Sequence, residues 1–202
     1  MTASNLKNVL ATNPAAPARS VLASVCRSTK SSLRTPAVQW GKDHEKAALE
    51  EYLSTQIQTH LDFNLCGSGL WVSCEVPYLA GSPDGVTECR CCGRGIVEVK
   101  CPYQLRDSTM EEFLADKNSC MVADENGCPS LRRKHQHFYQ VQAQMYVCDV
   151  QFCDFVVHCN KFTIIQRVQY DREFMEATIP KIKVFMTDAV LPQLMAHHFT
   201  QW

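Results

Sequence analysis

The stretch from Gly81 to Tyr103, GSPDGVTECRCCGRGIVEVKCPY, gathers two acids and a lysine into a pattern that could do chemistry. Asp84 stands just ahead of Gly85 in the turn signature Ser82-Pro83-Asp84-Gly85. Further on, the short run Ile96-Val97-Glu98-Val99-Lys100 carries a carboxylate and an ammonium two positions apart. In a strand such positions share a face, about 7 Å apart at Cα, so Glu98 and Lys100 project together while Val97 and Val99 face the other way. Charges inside so aliphatic and β-branched a run are costly to desolvate unless something compensates. A divalent cation and a phosphodiester would do so, with Asp84 and Glu98 ligating Mg²⁺ and Lys100 beside an attacking water. Taken alone, the strand fits better an edge whose Glu and Lys merely face solvent; the rest of the chain decides otherwise.

Two long helices can complete such a site. Over about Trp40 to Ile57, Glu45, Ala48, Leu49, Tyr52 and Gln56 fall on one stripe, so Glu45 is an acid on a mostly apolar face, either aimed inward or reaching water at its edge. Over Arg132 to Val150, Phe138, Val141, Met145 and Cys148 make an apolar stripe beside an amide-rich one of Gln136, Gln140, Ala143, Gln144 and Val147. Buried glutamines need partners at both ends of the amide, which a site of lysine, water and phosphate supplies; a solvated face needs none.

Shorter elements fill the rest. Ser4 caps a helix to about Leu10, a second covers Arg19 to Cys26, and Ser28 to Pro36 reads as a basic loop. Strands are expected over Leu70–Val76 and from Asp84 to about Thr87, with a turn at Cys89–Gly93 leading into the Glu98 strand. Ser108-Thr109-Met110-Glu111 opens a short helix, residues 118–130 read as loop, and Phe152–His158 with Phe162–Val168 forms a hairpin. A last helix runs from Asp171 to about Ala189, interrupted at Pro180. The expected order is helix, three strands, helix, two strands, helix.

At 202 residues and 46% hydrophobic, the chain is long enough for one domain with a real core. No apolar run suits a membrane span or a signal peptide, and the 12 cysteines are irregularly spaced, so they read as reduced thiols of an intracellular protein, in cytoplasm or nucleus. Net charge is only −1, yet residues 1–42 carry Lys7, Arg19, Arg27, Lys30, Arg34 and Lys42 with no acid, a local +6 that leaves −7 for the remainder. That asymmetry suits a polyanion at the N-terminal segment; an organellar transit peptide has a similar composition.

Four motifs, Trp40-Gly41-Lys42-Asp43-His44-Glu45, Ser82-Pro83-Asp84-Gly85, Glu98-Val99-Lys100-Cys101-Pro102 and Tyr139-Gln140-Val141-Gln142, occur in the order seen in YqaJ-type viral recombinases. The chain resembles these relatives of phage lambda exonuclease within the PD-(D/E)xK nuclease superfamily, from Ser4 to the last helix. The resemblance implies an α/β fold with a mixed central sheet flanked by helices, the restriction-endonuclease-like core. It implies that Asp84, Glu98, the Val99 backbone carbonyl and Glu45 hold Mg²⁺, with Mn²⁺ able to substitute. Lys100 would orient the water and Gln140 would steady the site. The activity implied is hydrolysis of double-stranded DNA from 5′ ends, through in-line attack of water on phosphorus and with no covalent intermediate. Implied partners are a single-strand annealing protein and two further copies in a homotrimer. A restriction-type endonuclease and a catalytically inactive DNA-binding module are the alternatives.

Met1-Thr2-Ala3-Ser4 resembles the family segment whose serine binds the terminal 5′-phosphate, a group that free helix-terminal amides favour. The family's arginine seven residues before that serine has no counterpart here, which implies an N-terminally truncated single domain or impaired end recognition. Residues 1–39 would face the DNA end and 40–202 would form the catalytic core. Arg19, Arg27 and Arg34 are candidate substitutes for the missing arginine. Val38 matches the family's apolar wedge, although core packing is its expected role. Cys89, Cys91 and Cys92, with Cys101, lack the paired spacing of a zinc site, so zinc is not expected there. His135 and His137 point apart on a helix, and His197-His198 reads as solvated.

Overall fold

The computed structural model describes residues 1–26 and 35–196. Arg27, Lys30, Arg34, His197 and His198, and the basic loop read over Ser28 to Pro36 up to residue 34, lie outside the described residues.

Three helices come first: α1 (Leu6–Ala11), α2 (Arg19–Cys26) and α3 (Pro36–Thr59). Helix α3 starts four residues before the expected Trp40. Pro36 occupies its first turn and Thr35 caps it, the Thr35 hydroxyl accepting from the Val38 amide at 3.3 Å. Proline is well suited to that turn, where its missing N–H leaves no partner wanting. Ser4 does not cap a helix as expected. It lies in a tight turn over Ala3–Asn5, its hydroxyl 3.1 Å from that of Thr2.

The strands that follow are β1 (Asn64–Gly67), β2 (Trp71–Val72), β3 (Ala80–Gly81), β4 (Gly85–Cys89) and β5 (Gly93–Lys100). After them come α4 (Met110–Ala115), β6 (Met121–Ala123), β7 (Pro129–Leu131) and α5 (Gln136–Cys148). The chain continues through β8 (Phe152–His158), β9 (Thr163–Gln169), α6 (Arg172–Phe185) and α7 (Leu191–Met195). The central sheet runs β1-β4-β5-β8-β9. All neighbours are antiparallel except β5 and β8, which pair in parallel across the α5 crossover. It is therefore a mixed sheet with helices on its faces, the α/β class expected.

Several local readings shift. Strand β1 is not among the expected strands; its four residues are mostly exposed, with too short a run for alternation to betray it. The Leu70–Val76 strand shrinks to Trp71–Val72, paired with β3 away from the main sheet. The 118–130 loop holds the β6–β7 hairpin, turned at Gly127 with φ +78°. Arg132, read as the start of α5, instead donates to the carbonyls of Ser119, Met121 and Asp116, and His135 caps the helix. Pro180 sits within an unbroken α6; the irregular, wider turn comes later, over Met186–Val190.

The sheet separates two cores. Val97, Val99 and Val156 pack against Ala48 and Tyr52 of α3. Ile96 and Phe155 on the other face pack with Phe138, Val141 and Met145 of α5. The alternation inferred for β5 is thus real: its valines meet α3, and Glu98 turns toward α5. The Tyr52 hydroxyl crosses into the sheet and donates to buried Asp154 at 2.7 Å, while Arg167 binds the same carboxylate at 2.8 and 3.0 Å. Both carboxylate oxygens of that buried acid are therefore satisfied.

Candidate active site

Strand β5 delivers Glu98 and Lys100 to one face, as strand geometry requires, and they form an ion pair. Glu98 is 2% exposed, a degree of burial that an ionised carboxylate tolerates only with partners. It has three. Lys100 and the Gln140 amide at 2.5 Å donate to one oxygen, and the Gln144 amide donates to the other at 2.8 Å. Gln140 and Gln144 lie one helical turn apart on α5, so a single helix presents both amides to a single acid. Gln144 joins the site from the amide-rich stripe beside Gln140, and its register one turn after Gln140 is the sequence signal that marks it.

Gln144 also donates to the Ser82 carbonyl at 3.2 Å, tying α5 to the turn that carries Asp84. Gly81 permits this, because a Cβ there would press to 3.2 Å from the Gln144 Cγ. Gly85 is constrained more severely: a Cβ would fall 2.7 Å from Leu65 and 3.0 Å from Val97. The Asp84-Gly85 turn can therefore nestle against β5, where the Asp84 carboxylate accepts the Val99 amide proton at 2.7 Å and the Asp84 amide donates to the Val97 carbonyl at 3.0 Å.

Glu45 stands exposed on α3, at the rim of an open cleft of about 250 Å³ lined also by Val38, Lys42, Val99, Lys100 and Cys101. Val38 is 42% exposed there, so the expected core-packing role is corrected: the N-terminal start of α3 leaves it on the cleft wall. Ser4 lies on the α5 side. Its segment is anchored where the Met1 amino group donates to the Tyr78 carbonyl at 2.7 Å and Ala80 donates to the Met1 carbonyl at 3.0 Å.

Charge in this site is unbalanced. Burial, and then the neighbouring Glu98, push the Asp84 carboxyl up to about 7, with Glu45 adding to the effect against Lys100 and the Val99 amide. Burial works against the Lys100 ammonium, but Glu98 and Asp84 outweigh it and hold its pKa above the usual lysine value. A buried carboxylate, a half-buried second and an exposed third beside one lysine leave negative charge that a hard cation would neutralise, and all the donors are oxygens. The carboxylates are not closed on one point. Among the described residues, the three acids are not a group whose ligand atoms all lie within 4.8 Å of one another, since Glu98 is held by its amides and Glu45 reaches solvent.

Cys101 borders this cleft, its thiol pushed up to about 11 by burial and by Glu45. It is thus separated from Cys89, Cys91 and Cys92, which gather instead around His60. The four-cysteine set weighed from the sequence is not what the fold assembles. His135 and His137 do lie close, ring centroids 4.6 Å apart, because His135 is the cap of α5 and not within it.

The model of the YqaJ-like viral recombinase domain matches residues 1–151, and the chain belongs to that family. The chain is 26% identical over 145 residues to the alkaline nuclease of Autographa californica nuclear polyhedrosis virus, a match covering 65% of this chain and about a third (33%) of that protein's length. The alkaline exonuclease LHK-Exo from Laribacter hongkongensis superposes with a TM-score of 0.66 at 21% identity, covering 93% of this chain and 86% of that one. A phage-related exonuclease from Haemophilus somnus 129PT superposes at 0.59 with 12% identity, covering 98% and 96%. These likenesses establish the fold inferred from the motifs, a mixed central sheet flanked by helices.

Proposed function

We propose that this chain is a metal-dependent deoxyribonuclease that degrades double-stranded DNA from its ends, in the 5′→3′ direction, for recombination. The observation that carries the reading is buried Glu98, held by Lys100, Gln140 and Gln144 beside an Asp84 carboxylate that shares its excess charge. A PD-(D/E)xK core with this many polar groups converging on one strand end is unnecessary for stability and well matched to phosphodiester hydrolysis. The exonuclease and nuclease names of its relatives support the same assignment.

Asp84, Glu98, Glu45 and the Val99 carbonyl are the oxygen donors we assign to Mg²⁺, with Mn²⁺ able to replace it. When bound, the cation neutralises the phosphate and stabilises the leaving oxygen. Lys100 orients the water for in-line attack and opposes the negative charge on the phosphoryl oxygens. Gln140 and Gln144 hold Glu98 in one rotamer, so that its oxygens need no reorganisation when substrate arrives. Ser4 is assigned to the terminal 5′-phosphate. On this reading residues 1–39 face the DNA end, residues 40–202 form the core of one nuclease domain, and a homotrimer hands single strands to an annealing protein.

Digestion of linear against closed circular duplex, with Mg²⁺ and with chelator, tests the assignment. Loss of linear duplex alone, only with metal, is the expected result. Equal loss of circles points to a restriction-type endonuclease, and no loss of either points to an inactive DNA-binding module.

A further inference from the structure

The structure assigns a second metal site, a single structural zinc ion held by His60, Cys89, Cys91 and Cys92 at the opposite end of the sheet from the acids. His60 terminates α3, Cys89 ends β4, and Cys91 and Cys92 form the turn before Gly93, whose φ of +76° lets the chain reverse into β5. The four ligand atoms all lie within 4.8 Å of one another. Zinc bonded to sulfur at about 2.3 Å and to nitrogen at about 2.05 Å puts sulfurs about 3.8 Å apart and sulfur–nitrogen pairs about 3.6 Å apart in a tetrahedron. The observed edges are 3.4 Å (Cys89–Cys91) and 3.9 Å (Cys91–Cys92) between sulfurs. To the His60 Nδ1 they are 3.1 Å from Cys91, 3.5 Å from Cys92 and 3.6 Å from Cys89.

Neither hydrogen bonding nor a disulfide accounts for this cluster. One imidazole nitrogen makes one hydrogen bond, so it cannot satisfy three thiols at once. The sulfur separations are far beyond the roughly 2.05 Å of a disulfide. All four ligand atoms are also too close for a cluster of several irons, which leaves room for one ion. Three thiolates and an imidazole select zinc over the oxygen-seeking cation of the active site. The surroundings fit a net negative centre. The Cys92 amide donates to the Cys89 sulfur at 3.3 Å, and Arg167, held charged first by Asp154, also has Cys92 beside it. The Arg90 amide donates to the Leu61 carbonyl at 3.0 Å, aligning the hairpin with the segment that follows α3.

Fifteen residues of helix separate Glu45 from His60, about 22 Å, so this ion takes no part in hydrolysis. Its place gives its role. It ties the end of the helix that carries Glu45 to the hairpin joining β4 and β5, the strands that bracket Asp84 and Glu98. Local spacing misses the site, because Cys91 and Cys92 are adjacent and the fourth ligand lies 29 residues before Cys89.

The test is metal analysis of the whole chain purified without added metal and under reducing conditions. We expect about one zinc per chain, retained in Glu98→Gln and falling below about a tenth in the Cys91→Ser/Cys92→Ser double variant. Cobalt loaded in place of zinc should give the visible spectrum of a tetrahedral thiolate complex. His60→Cys should keep the ion and strengthen the sulfur-to-metal band. That variant and the cobalt spectrum of the unaltered chain decide the matter even if the double variant fails to fold. Zinc below a tenth of an equivalent with no thiolate–cobalt spectrum, zinc unchanged in the double variant, or a disulfide among the three cysteines would overturn the assignment.

Discussion

The two ends of the β4–β5 hairpin make opposite kinds of site. At the Lys100 end, oxygen donors from α3, the Asp84 turn and β5 surround an open cleft and are steered by amides from α5. At the Gly93 end, three sulfurs and a nitrogen already form the edges of a tetrahedron with no position to spare. Catalytic metal sites keep room for water and substrate, whereas structural ones fill every position with protein. The difference teaches that residue type alone does not distinguish a working site from a fastening. Closure does. An acid held short of its final ligand geometry by hydrogen bonds can still admit a phosphate; a closed thiolate shell cannot.

This contrast is broken most directly by Glu98→Gln or Lys100→Ala. Either should lower the digestion rate by at least about 10³-fold while zinc content and fold persist, because the charges serve the chemistry and not the core. A wild-type rate in either variant would remove the site assignment. Next in size, Gln144→Ala should cost about 10- to 100-fold in activity or in Mg²⁺ affinity, since Glu98 loses the donor on its second oxygen. A Mg²⁺ titration of the rate separates the two effects; no change in either would mean that the amide serves packing only.

Removing the ion at the other end should act on stability instead. Stripping zinc with a strong chelator and restoring Mg²⁺ should lower the thermal midpoint by about 5–10 °C and leave the initial rate at low temperature nearly unchanged. A rate that falls with zinc while the midpoint holds would reverse the two roles. Tyr52→Phe sits between the sites, and losing its hydrogen bond to buried Asp154 should cost about 1–3 kcal/mol in urea unfolding with little effect on rate.

The last effect concerns acid. Burial, with Lys100 and His135 nearby, depresses His137 to about 3, well below its value in an unfolded chain. Its contribution to stability is therefore complete above about pH 6.5 and is lost as pH falls from there toward 3, with a slope of up to about 1.4 kcal/mol per pH unit. His137→Gln should flatten that slope in unfolding curves taken between pH 6.5 and 4. An unaltered slope would place the titrating group elsewhere.

The sequence was most legible where one element carries the information. Glu98 and Lys100 share a face because strands alternate, and Gln140 lies on an amide stripe because helices repeat; both hold in the structure. Motif order supplied the fold class through family resemblance. What stayed hidden depends on distant parts of the chain meeting. Nothing near Cys89 signals His60, and nothing in Asn64–Gly67 marks it as the partner of β4 until that strand is in place. Element boundaries slipped where end chemistry was misjudged, as at Pro36, which opens α3, and at Arg132, whose guanidinium holds loop carbonyls instead of starting a helix.

The central claim is that the acids beside Lys100 cut DNA with a hard cation. It is tested most directly by following a 5′-phosphorylated linear duplex and a closed circle, mixed in one tube with the zinc-loaded protein, before and after Mg²⁺ is added. The account predicts that nothing happens without Mg²⁺, that the linear molecule alone then shortens, and that Glu98→Gln stops it. Shortening that proceeds before Mg²⁺ is added, or that survives Glu98→Gln, would contradict it.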